Sequence, residues 1–233
     1  MKEIRYLKTL VLALGLSLVM LGSATGQNAY QISEEVFDFG HVGIDYRIFH
    51  NYKLINTSKK DIIIDSVDVM CDCSSVLFEK KVLKPHDTLL FKLTFDTRDF
   101  YGPISRKFNV FLSIPEKKVL SFFYLAEVGQ WQNGLKPDPF AIFMLPSHKQ
   151  QTIKINNRVF EYIEAEIQDL HANFFKVEII KYNAGKSEQL EMAVIPEAGL
   201  AKGTYLSNFT IKIIPRGEDS PVYLTIPVKI ARF

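Results

Sequence analysis

The strongest constraint on this chain is a two-residue alternation of side chains that returns along almost its whole length. Its cleanest instance is Leu89, Phe91, Leu93 and Phe95, with Leu90, Lys92 and Thr94 between them. Upstream, Ile48, His50, Tyr52 and Leu54 face one way and Phe49, Asn51 and Lys53 the other. Downstream come Phe108, Val110 and Leu112, then an apolar run over residues 119–128. Period two belongs to half-buried antiparallel strands. Turn chemistry punctuates the pattern at residues 56–60 and at Leu83-Lys84-Pro85-His86-Asp87, where proline presets φ and Asp bonds its own backbone. Only residues 160–170 offer a helical stripe. The expected fold is all-β, with strands at the spacing of an immunoglobulin-like sandwich.

The alternation stops once. Residues 129–139 (GQWQNGLKPDP) cluster Gly, Asn and Pro and carry Trp131, the only tryptophan. Strand patterns then restart at Phe140, Ile142 and Met144, and continue through Ile153 and Ile155, residues 175–180, and Leu190, Met192 and Val194. Two long alternating strands close the chain, through Tyr205–Ile213 and Val222–Ile230 in numbering 205–213 and 222–230. The second part therefore echoes the first. Two tandem immunoglobulin-like sandwiches are expected, at 27–128 and 140–233, joined by a linker at 129–139. A single large barrel is the competing architecture. Trp131 is expected to plug the seam between domains.

The first 26 residues read as a secretory signal peptide. Lys2, Arg5 and Lys8 precede an uncharged run at 10–21, followed by small residues at 22–26. That run falls short of the ~20 residues of a spanning helix, although a retained anchor is the alternative. Cleavage is expected after Gly26. No cysteine lies near the cut, so no lipoprotein is expected, and the compartment is periplasmic or extracellular. A formal net charge of +2 with interspersed signs gives no electrostatic footprint for nucleic acid.

A further set of residues falls in a recognisable order: Phe37-Asp38-Phe39-Gly40, Tyr52-x-Leu54-x-Asn56-Thr57, Cys71-Asp72-Cys73, Leu83-Lys84-Pro85 and Phe95-Asp96. This order resembles an uncharacterised bacterial family of secreted immunoglobulin-like domains, abundant in Bacteroidetes and similar in fold to major sperm protein, Hydin and PapD-type domains. Gly102 and Arg106 stand where that family has a G-x-x-x-K stretch. The resemblance covers about residues 30–128. Ser58, Asp72 and His86 replace glycines of the family pattern. No activity is implied, only a location and a fold.

Cys71 and Cys73 are the only cysteines. In an extended strand their Cα atoms would stand about 6.6 Å apart, near the long limit for a disulfide, so a bridge needs a local bend. Four readings stay open: a structural pair, a labile redox pair, a soft-metal site with Met70 and either His50 or His86, and intermolecular attachment. The histidines (His41, His50, His86, His148, His171) share no ligand spacing, and inward-facing His50 reads as a satisfied core histidine. Gly185-Lys186-Ser187 lacks the first glycine of a phosphate loop, Ile180 standing there. Phe100 and Tyr101, in the loop 96–103, are a candidate partner-binding pair. The expected function is a non-enzymatic interaction or structural module of the bacterial envelope, with protein partners and no cofactor. A PapD-like chaperone and a thiol redox or copper-handling protein are the alternatives.

Overall fold

The computed structural model describes residues 29–114, 117–131 and 134–233. The expected signal peptide at 1–26 lies outside the described residues. Every regular element is a strand. The first nine are β1 (Tyr30–Ile32), β2 (Val36–Val42), β3 (Arg47–Asn56), β4 (Ile62–Val69), β5 (Ser74–Leu77), β6 (Val82–Leu83), β7 (Thr88–Asp96), β8 (Gly102–Ser113) and β9 (Lys117–Val128). The next nine are β10 (Pro137–Asp138), β11 (Ile142–Met144), β12 (Gln151–Asn156), β13 (Tyr162–Leu170), β14 (Phe175–Lys181), β15 (Asn183–Gly185), β16 (Gln189–Pro196), β17 (Gly203–Pro215) and β18 (Val222–Arg232).

The second nine strands repeat the topology of the first nine. One sheet runs β1-β3-β7-β5 and its counterpart β10-β12-β16-β14. The facing layers are β2-β9-β8-β4-β6 and β11, β18, β17, β13 and β15, in corresponding order. Each half closes over its own apolar cluster. Tyr52, Phe91, Phe95, Phe108 and Phe122 are fully enclosed in the first, and Ile153, Met192, Phe209, Ile211 and Ile226 in the second. The two facing layers also join edge to edge, through a parallel pairing of β18 with β2 at Leu224 and His41, so one sheet of ten strands crosses both halves. Its outer strands, β15 and β6, do not meet, which excludes the single closed barrel.

Gly40 is what lets β18 approach β2. Its φ is +61°, and a Cβ there would stand 2.1 Å from the Tyr223 carbonyl oxygen. Thr225 Oγ1 then donates to Phe39 O at 2.6 Å in a fully buried setting.

The turn after β3 shows the repetition at the level of single hydrogen bonds. Asn56 is fully buried, and its Nδ2 donates to the carbonyls of Lys60 and Leu83, both at 2.8 Å. Asn157 is equally buried after β12, with Nδ2 donating to Phe160 O (2.8 Å) and Ala184 O (3.2 Å). The Asn56 amide N–H reaches Asp87 O, and that of Asn157 reaches Glu188 O. His86 and Ser187, with φ of 65° and 69°, return amide hydrogen bonds to the Asn56 and Asn157 carbonyls.

Two details differ from the sequence expectation. Residues 160–170 are not helical: the stretch is β13, whose alternating Ile163 and Ala165 are buried. Its polar residues pair in register with β17, and tertiary packing decides the matter. Pro137 and Asp138, expected in the linker, form β10.

Replacing Asn56 or Asn157 by alanine leaves two carbonyls without their donor in each case. Each substitution is expected to cost about 2–3 kcal/mol. Because the two sites serve separate cores, the double variant should cost the sum to within about 0.5 kcal/mol. Urea unfolding of the four proteins checks this. A double-variant loss well below the sum would show that the turns do not act independently.

Candidate functional site: a histidine and carboxylate cluster at the seam

The site begins with an incomplete strand pairing. β7 runs along β3 from Arg47 to Ile55, but on the other side β1 covers only Leu54–Asn56, written 54–56 in numbering. The amides of Phe49, Asn51 and Lys53 therefore point to an open edge, and side chains satisfy them. Phe49 N–H donates to Asn208 Oδ1 (2.6 Å), Asn51 N–H approaches His171 Nε2 (3.3 Å), and Lys53 N–H donates to Ser33 Oγ (3.1 Å). Asn208 and His171 come from the second half. Asn208 is fully buried, and its Nδ2 has no partner among the described residues.

His50 lies on the inward face of the same strand, 4% exposed, and Phe37 stacks on it at 3.6 Å between centroids. Both of its ring nitrogens face carboxylates: Nδ1 stands 2.6 Å from Asp169 Oδ2 and Nε2 3.0 Å from Glu34 Oε1. Burial pulls the His50 pKa down, but hydrogen bonds to Asp169 and Glu34 outweigh it and hold the imidazolium above its ordinary value. Burial likewise works against the Asp169 carboxylate, yet hydrogen bonds from His171 and His50 bring it down to about 2. Burial opposes the Glu34 carboxylate too, and the His50 hydrogen bond keeps its pKa lowered.

His171 completes the group. Its Nε2 makes a short contact with the same Asp169 oxygen and lies 3.2 Å from His50 Nδ1. Its Nδ1 is 3.0 Å from Asn51 Nδ2, and its carbonyl accepts from Ser207 Oγ. Asp169 and His171 reach this place through a β-bulge in β13. The register shifts between Ile167 and Asp169, so that Asp169 pairs with Thr210. Bulges of this kind re-aim side chains. The cluster opens on one side into a cavity of about 420 Å³ that Lys53 and Leu90 also line.

Sequence reading placed His50 correctly as an inward histidine with partners, and missed what those partners are. Glu34, Asp169 and His171 lie 16, 119 and 121 residues away from it. Asp169 near the end of β13 and His171 just past it continue the two-residue spacing of Ile163 and Ala165, and a carboxyl and an imidazole closing an apolar alternation are the one local signal.

The sequence-predicted residues lie elsewhere. Cys71 and Cys73 form a disulfide across a turn, with Cα atoms 5.3 Å apart, and Cys73 packs on the first core. Bridged sulfurs offer no thiolate to a metal. Met70 beside them is exposed. His86 does not join them. Cys73 O bonds Asp96 N at one end of β7, whereas His86 precedes Thr88 at the other, about 26 Å along the strand. Phe100 turns inward against Phe95 at 5.5 Å, while Tyr101 is 72% exposed. Trp131 packs on the second core, 6.2 Å from Phe140, and faces a cavity shared with Ile44, Tyr46 and Tyr101 of the first half.

Residues 30–123 match the family described as "Protein of unknown function (DUF1573)". No curated protein matches the chain. Among solved structures, it is similar to the periplasmic chaperone SfaE at 11% identity and a TM-score of 0.34, covering 88% of this chain and 100% of that one. SSP-19, an MSP-domain protein like family member in Caenorhabditis elegans, is 17% identical with a TM-score of 0.36, over 42% of this chain and 99% of its own. The Vibrio cholerae VesB protease is 12% identical with a TM-score of 0.39, over 43% of this chain, which spans only 32% of that protease. Among the described residues no helix is long and apolar enough to cross a membrane.

The lowered Asp169 pKa has a signed consequence. A carboxyl near 2 when folded and 3.8 when unfolded stabilises the fold above pH 3.8, and that contribution fades as pH falls toward 2. The loss is expected to be about 2 kcal/mol. His50 acts in the opposite sense, stabilising below its ordinary value of 6.5 and losing that effect as pH rises through its raised folded pKa. Urea midpoints of the wild type and Asp169→Asn at pH 7, 4 and 2 check this. The gap between the two proteins should narrow between pH 4 and 2, and a constant gap would contradict it.

Proposed function

We propose that this protein is a non-catalytic, secreted immunoglobulin-like module of a bacterial envelope of the Bacteroidetes type. In this reading the halves 27–128 and 140–233 are tandem units that act as one body and recognise a protein partner by strand addition. The carrying observation is β14. Among the described residues it pairs with β16 alone, leaving a seven-residue edge. A register shift between Ile179 and Lys181 breaks its alternation, and Ile179, Ile180 and Tyr182 are all exposed. Unpaired backbone groups beside exposed apolar side chains are what an added strand uses. The other edges are shorter: β1, β5 and β6 have three, four and two residues. Of the two aromatics in the 96–103 loop only Tyr101 is presented outward, so the loop is a weaker apolar recognition surface than the edge.

One observation favours the chaperone reading instead. Arg47, Arg98 and Lys229 line a cavity of about 340 Å³ between the halves. Asp96 ties both guanidiniums, at 3.3 Å to Arg47 Nε and 2.8 Å to Arg98 Nη2. The cavity's three cations face Asp45 and Asp96, and the open edge of β3 beside it is already met by side chains of the second half.

Cross-linked capture of partners from the native envelope separates these readings. Ile180→Lys with Tyr182→Lys should reduce recovery of the partner at least about tenfold, since charge on an edge blocks pairing. Tyr101→Ala should leave it unchanged. Loss with Lys229→Ala alone, with the β14 variant unaffected, would favour the chaperone reading and defeat strand addition.

A further inference from the structure

We propose that His50 Nδ1, His171 Nε2 and Asp169 Oδ2 bind one divalent d-block cation at the seam between the halves. This goes beyond the recognition role and does not depend on it. Three observations carry it.

The first is convergence. The three atoms, from β3 and from the end of β13, lie within 3.2 Å of one another. In a tetrahedral zinc site with bonds of 2.0–2.1 Å, ligand atoms stand about 3.3 Å apart. The two ring nitrogens already have that separation. Asp169 Oδ2, 2.6 Å from His50 Nδ1, needs to draw back by only about 0.7 Å.

The second is the outer shell. Ligating histidines hold their other nitrogen against a carboxylate or carbonyl, which fixes ring and tautomer. His50 meets this condition as it stands, with Nε2 3.0 Å from Glu34 Oε1. His171 Nδ1 faces the side-chain amide nitrogen of Asn51 at 3.0 Å. Half a turn of that amide presents its oxygen to an Nδ1 proton.

The third is access. The cavity beside the cluster supplies an entry path and room for water as a further ligand. Two imidazoles and a carboxylate suit zinc-like ions, whereas magnesium and calcium prefer oxygen.

The test uses Zn2+ alone on the full chain after chelator treatment and dialysis. One ion per chain should bind, unaffected by excess Mg2+, and Glu34→Gln should weaken binding about 10–100-fold by loosening His50. His171→Ala should abolish it. A measurement on the unaltered protein guards against variants that fail to fold. In the ring-nitrogen NMR spectrum, Zn2+ should shift His50 and His171 and leave His41, His86 and His148 in place. Absence of stoichiometric binding, effective competition by Mg2+, or shifts confined to the other three histidines would overturn the proposal.

Discussion

The open edge of β3 is the constraint on which the rest of the molecule depends. Between Arg47 and Tyr52 this strand is paired on one side only among the described residues. Buried amides cannot stay unpaired without cost, and a free edge invites unwanted strands. The second half closes the edge with side chains instead of a strand. Asn208 accepts from Phe49 and the His171 ring stands against the amide of Asn51, at the two-residue spacing with which a strand presents its outward amides. Directional hydrogen bonds at two points along one strand fix the second half in rotation as well as in place. The Gly40 contact with Tyr223, on the facing layer, closes the other side of the same joint.

The duplication makes the asymmetry of the two halves informative. β12 occupies the place of β3 but has six residues where β3 has ten. β3 ends at a buried asparagine and β12 is followed by one, and each organises its turn in the same way. The extra length of β3 is the part that the second half covers. A strand runs as far as its backbone groups find partners, and β12 has no further copy laid against it among the described residues. The same turn chemistry thus serves both halves, while strand length reports which half is covered by a neighbour.

Much of this fold was legible because its physics is local. Alternation in residues 89–95 marks β7, and the break at 129–139 marks the passage between halves. Residues 160–170 misled because a short run of charged and apolar residues suits either period, and only pairing with β17 settles it. The site was not legible. His50 and His171 come together because β13 bulges and β3 lacks a neighbour, and neither fact is written in the spacing of histidines. The cysteines drew attention as the rarest chemistry in the chain, but a turn and a disulfide account for them. His86, a ligand candidate on sequence grounds, is placed in a turn by its positive φ and its backbone bond to Asn56.

The polarity of the seam calls for an explanation that stability alone does not supply. Desolvating two carboxylates and an imidazolium is costly, and apolar residues of similar volume often do as well or better in such places. Apolar surfaces, however, tolerate sliding and rotation. The seam cluster does not, because His50 is held at both nitrogens and from its face at once: Asp169, Glu34 and Phe37 each fix a different direction. Losing either carboxylate leaves the buried imidazolium short of a partner, so intermediate orientations of the halves are penalised. Geometry this tightly specified is needed where two halves must present a common surface at a constant angle. It is needed equally where three ligand atoms must stay within bonding reach of one ion.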